Sequence, residues 1–510
     1  MALSTAVGLE RVSRVVGYQV KAGNFQESTP NLPQSVVVLA EANLANQSGL
    51  DTTKREITSA KEAGDIYGYG SPIHSIMRVL RPVAGGGIGG IPTYVIAQPA
   101  PGSGAAAQVE ITVTGTPTAN GTHFVAINGR TNVDGSTYST TILSTDNADS
   151  IAARIADNVN NVLGAPCTAT VASNVVTLTA KWEGVTSDQL TAEVFTDGKD
   201  LGMSYAVAKT VSGAGTNTVA NDLLKIGSAW NTIIVNSYGE SAFQELETWN
   251  GSPDANVPVG RWAAIEFKPA VALWGSNESD KDNITAITND AARKDQVTNV
   301  LCPAPNSKGF DYEAAANGAL ITAPLFQNTP HLSVNGISYN DMPVPSDGNI
   351  GDFAEYNNRD FMVKKGCSTV DLVNSKYVFQ DFVTTYAPDG DPNASWRYVR
   401  SLMQDWNIRY AYFLLEQINV VDHAITSSDQ ITSVINVIKP KQWKQIVGNM
   451  ADNLAERVII VDPEFLKQNL VVEVNQTNPD RLDTFFRYKR SGIARIASTT
   501  AEAGFAFGVQ

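Results

Sequence analysis

The sequence predicts an α/β (α+β) main domain formed by both ends of the chain, with a small β-rich α+β module inserted into it and extended N- and C-terminal arms. Three observations predict this. A chain of 510 residues is too long for a single hydrophobic core. Apolar strand-like runs alternate with amphipathic helical stretches near the N-terminus and again after residue 221. Between them the composition shifts abruptly to Thr, Ala, Val, Gly and Asn. The expected parts are an N-terminal arm over 1–30, the main domain over 31–93 and 213–497, the module over 94–212, and a C-terminal arm over 498–510.

In chain order, SVVVLA is a continuous apolar run bounded by Pro33 and a polar loop, as a strand buried on both faces requires. SAKEAGDIYG follows, with Ser59 and Glu62 spaced as a capping box. In SPIHSIMRVLRP, Ser71 is an N-cap, Pro72 takes the first helical position, and Ile73, Ile76, Met77 and Leu80 form one apolar face. The glycines after it, Gly85, Gly87 and Gly90, fit the letters G-x-G-x-x-G, and Glu110 imitates a ribose-binding acid. A phosphate cradle needs a strand before its glycines and a helix after them, and here the order is reversed. The stretch reads as a flexible hinge, where the module leaves the main domain.

The module reads as β-formers, QVEITVTG, THFVAING, STYSTTILS and CTATVASNVVTLTAKW, with turns at Asn120-Gly121, Asn128-Gly129 and Asp134-Gly135. One helix interrupts them, with Ile151, Ile155, Val159 and Val162 on one face. After it, WNTIIVNSYG reads as a strand, AFQELETW as a helix, RWAAIEFKPAVALWGS as an apolar strand region and DQVTNVLCPAP as another strand. The longest helix carries Val399, Leu402, Met403, Trp406, Tyr410 and Phe413 at helical spacing, a core stripe. LDTFFRYKRSGIARIASTTAEAGFAF reads as two strands and an extended tail.

Composition removes several functions. A net charge of −14 with no basic run argues against nucleic acid or an anionic membrane as partner. Cys167, Cys302 and Cys367 lack metal or disulfide spacing, which fits a reducing cytosol. No apolar stretch has the length of a membrane span, and the N-terminus lacks the pattern of a signal peptide. None of His74, His123, His331 and His423 has a second ligand at metal spacing, and the common hydrolase and nucleotide motifs are absent. PDGDPN, with Asp389 and Asp391, lacks the later acidic ligand of a calcium loop and reads as a solvated turn. No catalytic, cofactor or metal residue is expected.

The chain as a whole resembles the contractile tail sheath proteins of bacteriophages, in particular the Mu-like branch. The resemblance runs through LPQSVVVLAEA, ITSAKEAGDIYGYGSPIHSIMRVLRP, the inserted module with VVTLTAKWEG, NTIIVNSYGESAFQELETW, RWAAIEFKPAVALWG, NVLCPAP and WRYVRSLMQDWNIRYAYFLL. It implies a structural subunit without cofactor. Such subunits stack as hexameric rings around a tail tube between baseplate and tail terminator proteins, and contract to drive the tube through a host envelope. They are virion tail components, assembled in the bacterial cytoplasm. The alternatives are another virion tail component and an α/β hydrolytic enzyme with a β-rich insertion.

Two surface features fit such an assembly. Lys439, Lys441 and Lys444 crowd the start of a helix in an otherwise acidic chain, and are the expected tube-facing residues. The arms carry strand-like sequence, with Val15, Val16, Tyr18 and Val20 at one end and Phe505 and Phe507 at the other. Backbone groups in such arms are satisfied by adding strands to a neighbour's sheet.

Overall fold

The apolar run after Ser35 forms the strand Val36–Glu41, with all 6 residues buried. It lies inside a six-stranded sheet ordered Asn299–Pro303, Val271–Ser276, Ile233–Asn236, Val36–Glu41, Thr93–Gln98 and Arg55–Glu56. The first five are mutually parallel, and Arg55–Glu56 closes one edge antiparallel. The computed structural model describes residues 30–253, 257–389 and 395–503.

Successive side chains of the central strand enter different cores. Val36, Val38 and Ala40 join the larger apolar cluster, under the helices Pro72–Leu80 and Asp311–Asn328. Val37 and Leu39 join a smaller one, under Ala220–Leu224 and Phe243–Asn250. This three-layer arrangement explains the unbroken apolar sequence, since neither face of the strand meets water. Numbered in chain order, the five parallel strands run 2-1-3-4-5 across the sheet, a doubly wound order whose switch point lies between Val36–Glu41 and Ile233–Asn236.

The helix signals hold. Ser71 Oγ accepts from the His74 N–H, and Pro72 opens the helix whose Ile73, Ile76, Met77 and Leu80 are buried. Ser59 caps Ala60–Tyr67 through the Glu62 N–H, while the Glu62 carboxylate turns back to Thr58 and not to Ser59.

The strand Thr93–Gln98 corrects the expected module border at residue 94. It pairs in parallel with Val36–Glu41 over Val36↔Thr93 to Glu41↔Gln98, so it belongs to the main sheet. The Gly85–Gly90 stretch is therefore the turn that returns the chain from the Pro72–Leu80 helix to the sheet, and not the exit to the module. The exit comes later, where Ala105 and Ala214 exchange backbone hydrogen bonds of 2.9 and 3.1 Å and pinch the two linkers together.

Between those points the chain forms a four-stranded antiparallel sheet, ordered Met203–Val211, Gln108–Gly115, Val175–Ala180 and Cys167–Ala172. A three-stranded sheet of Ala192–Phe195, Gly121–Ile127 and Ser139–Ile142 accompanies it. The helix Ala148–Asn161 buries Ile151, Ile155 and Val159 against both in a separate apolar cluster. Asn128-Gly129 and Asp134-Gly135 have positive φ at both residues, 47° and 71°, then 50° and 83°, as tight hairpin turns require. The outer edge at Cys167–Ala172 is closed by Asn160, whose carboxamide accepts from the Ala169 N–H at 2.9 Å and donates to its carbonyl at 2.8 Å.

The longest helix, Val399–Asn419, differs from its expected stripe. Val399, Leu402, Met403 and Trp406 enter the main core, but Phe413 is exposed and Tyr410 half-buried. The buried line passes instead through Ile408, Ala411 and Leu415 into a further cluster with Trp443, Val447, Met450, Leu454, Leu466 and Leu470. The helix serves two cores, so its apolar face rotates along its length. The region expected as one strand around RWAAIEFKPAVALWGS begins as a 3-10 turn, Gly260–Trp262, and becomes a strand only at Val271–Ser276. Val15, Val16, Tyr18, Val20, Phe505 and Phe507 lie outside the described residues.

Candidate assembly surface

The helix Pro440–Glu456 positions the three lysines. Its apolar residues Trp443, Val447, Met450, Ala451 and Leu454 are buried, which fixes its rotation and turns Lys441 and Lys444 to solvent. Lys439 is the N-cap and is only partly exposed, because its ammonium donates to the Gln430 carbonyl. Among the described residues none of the three forms an ion pair. Positive charge at a helix N-terminus opposes the helix dipole, and Lys441 and Lys444 also face each other three residues apart. The local fold gives Lys441 and Lys444 no electrostatic partner among the described residues.

Beside them is a feature that sequence reading does not single out. The loop leading into the helix exposes Ile431 (96%), Val434 (68%) and Ile435 (87%). The loop is tied back by the Lys441 N–H, which donates to Ser428 Oγ at 3.3 Å. Aliphatic side chains this exposed, clustered beside unpaired lysines, form a surface suited to a protein partner. The only sequence signal is the run ITSVINVI, which looks like an ordinary strand.

The same lobe carries the hairpin Val471–Val474 with Leu482–Phe485, a two-stranded sheet with no further strand paired to either edge among the described residues. It is held to the helix by the Trp443 indole N–H, which donates to Thr484 Oγ1 at 3.1 Å. Val471 and Phe485 are 52% and 56% exposed. Open strand edges of this kind accept an added strand.

The chain leaves the lobe at a fixed point. Ser491 is buried, held by the Arg400 guanidinium at 2.8 Å and the Gln404 amide at 2.7 Å. Arg495 then pairs with Asp381 and stacks 4.1 Å over the Tyr398 ring. Beyond it, the described residues up to 503 form no helix or strand.

Several polar features bear on the enzyme alternative. The glycine turn follows the C-terminal, negative end of a helix, and two of its N–H groups are spent internally, Gly85 on the Pro82 carbonyl and Ile88 on the Leu80 carbonyl. The crevice at the switch point of the main sheet, where doubly wound folds place ligands, is filled by the module's own Trp182 and Thr186. A cleft of about 530 Å3 beside it is lined by Arg78, Arg130, Asp134 and Asp341. Those charges are committed to each other and to Glu313, with Arg78–Asp134 at 2.9 Å and Arg130–Glu313 at 2.8 Å, joining module to main domain. Burial lowers the His74 imidazole to about 4, and it accepts from the Gly70 N–H, a structural role. Cys167, Cys302 and Cys367 are buried thiols, with Cys167 pushed up to about 12. Asp389 pairs with Lys294, while Asp391 lies outside the described residues. Among the described residues, no helix is long and apolar enough to cross a membrane.

No family model matches the chain. The Mu-like prophage FluMu tail sheath protein of Haemophilus influenzae is 21% identical over 458 residues, covering 88% of this chain and 88% of that protein. Among solved structures, the sheath tail protein of Desulfitobacterium hafniense aligns with a TM-score of 0.43 and 12% identity, over 92% of this chain and 100% of that one. The anti-feeding prophage baseplate aligns with a TM-score of 0.45 and 10% identity, over 97% and 100%. The resemblance to Mu-like tail sheath proteins, read from sequence blocks, thus extends along most of the chain.

Proposed function

We propose that this chain is a structural subunit of a contractile tail sheath. It polymerises as stacked hexameric rings around an inner tube and contracts to drive that tube through a host envelope. The observation that carries the reading is the similarity to a tail sheath protein, 21% identical over 88% of both chains. The C-terminal lobe supports it. Lys441, Lys444 and the Ile431–Ile435 loop form an unpaired cationic and aliphatic surface suited to an acidic tube, with Lys439 bracing the loop. The open hairpin offers edges to the arms of neighbouring copies, which carry Val15, Val16, Tyr18, Val20, Phe505 and Phe507.

In this reading the subunit is not an enzyme and needs no cofactor, because contraction draws on interfaces that are poorer in the extended polymer than in the contracted one. Its partners are its own copies, the tube, and the baseplate and tail terminator proteins, in a virion tail assembled in the host cytoplasm. Electron microscopy of negatively stained purified protein tests it. Hollow cylinders of stacked rings are expected. Discrete particles under all assembly conditions would favour another tail component or a hydrolase.

A further inference from the structure

The module meets the main sheet through buried carboxyl groups that nothing in the assembly reading uses. Glu41 ends the central strand and is 1% exposed. Its Oε1 accepts from Thr186 Oγ1 at 2.9 Å, and Thr186 in turn accepts from the Trp182 indole N–H at 2.9 Å. Glu41 Oε2 is buried with no hydrogen-bond partner. Asp311, at the start of the Asp311–Asn328 helix, gives its N–H to Gln189 Oε1 of the module at 2.8 Å. That residue is partly exposed and its carboxyl is approached by the Gln189 side chain and the Tyr312 N–H, but its Oδ1 is buried and unpartnered.

The other ionisable groups around this seat do not neutralise them. The buried Tyr238 hydroxyl faces Glu41 and favours its charged form by less than burial disfavours it, and Tyr312 presents a second buried hydroxyl. Glu313 is bound to Arg130 at 2.8 Å, and Asp222 to Lys225 at 2.5 Å. Among the described residues no cation pairs with Glu41 or Asp311. An unpaired carboxylate is costly in such a place, whereas the neutral acid is tolerated. The module-side residues Trp182, Thr186 and Gln189 come from a unit with its own core, joined by two strands of chain pinched at Ala105 and Ala214, but the Trp182 indole packs in the main core, 5.5 Å from Phe310. Opening the seat therefore leaves the module's own core intact and withdraws Trp182 from the main one.

We propose that the seat of the inserted module is a proton-dependent joint, held while Glu41 and Asp311 keep their protons and loosened as they ionise. Burial pushes both carboxyls up to about 7, against 4.5 and 3.8 for the free side chains. Seating is thus favoured fully below the free values, weakens as pH rises toward about 7, and changes little above it. Separation of module and main domain becomes easier at neutral pH than in mild acid, independently of whether the chain forms a sheath.

Hydrogen exchange of the full chain, corrected for intrinsic rates, tests this at the Val185–Gln189 amides from about pH 5 to about pH 9. The opening constant should rise by up to about tenfold per pH unit for each carboxyl below about pH 7, then level off. Glu41→Gln and Asp311→Asn should each reduce the slope, and the double variant should flatten it. A wild-type constant independent of pH, or a Glu41→Gln profile matching wild type, would overturn the proposal. Infrared spectroscopy of the wild-type chain near pH 6 adds a check that needs no folded variant. A protonated-carboxyl band that titrates near pH 7, above the contributions of Glu247 and Asp405 near 6, is expected, and its absence also overturns the joint.

Discussion

The inserted module and the C-terminal lobe are both satellites of one parallel sheet, but they are attached in opposite ways. The module keeps most of its apolar residues to itself, with Val109, Ile111, Ile151 and Leu178 in a cluster of their own, and meets the main domain through polar groups and one large apolar side chain, Trp182, buried against Phe310. The lobe shares a continuous helix, Val399–Asn419, whose Trp406 packs in the main core at 5.9 Å from Trp262 while its Leu415 packs in the lobe. Asp405 strengthens that seam, bound to Arg490 and Tyr488 at 2.9 Å each. A unit attached by polar contacts, one indole and two crossings is separable; one attached by a shared helix transmits displacement to the sheet.

The largest test of this contrast is where the module is cut. Replacing residues 106–213 with a short Gly/Ser linker, together with Glu41→Gln, should leave a soluble protein with one cooperative melting transition. Replacing 94–212 should abolish folding, because it removes the strand Thr93–Gln98 from the main sheet. Circular dichroism melts of the two deletions distinguish these outcomes, and equal behaviour would break the comparison. An intermediate effect is expected at the lobe seam. Trp406→Ala should cost about 3–5 kcal/mol in denaturant unfolding, since it empties a buried site shared with Trp230 and Trp262.

The smallest effect is also the most diagnostic. Lys441→Glu with Lys444→Glu should raise stability by about 0.3–1 kcal/mol, because acids suit a helix N-terminus better than bases. The same change should weaken co-assembly with tube, read by sedimentation at low salt. Stability and assembly moving in opposite directions would mark the lysines as placed for a partner. Unchanged assembly would leave them as a solvated helix face.

Legibility in the sequence followed the range of the forces involved. Local signals were readable: Ser71-Pro72 as a helix start, Asp134-Gly135 as a hairpin turn, and the unbroken run at Val36–Glu41 as a doubly buried strand. The three lysines were legible as a charge cluster. The membership of Thr93–Gln98 was not, because a short run of β-formers looks the same in either sheet and its partner strand is distant in sequence. The aliphatic loop at Ile431 was missed for a related reason, since exposure is a property of what does not pack there. The separate lobe was hidden by the helix it shares with the main core.

The strand order also sets a timetable for synthesis. Val36–Glu41 emerges early, but its neighbour Ile233–Asn236 follows roughly 190 residues later, a wait of about 10–40 s at about 5–20 residues per second. During that interval the module can finish, because each of its strands pairs within the stretch from Gln108 to Val211. The nascent chain therefore carries a completed β unit on an incomplete sheet, with one flank of VVVLA still bare. That five-residue apolar run is the place where a holding chaperone would be needed most.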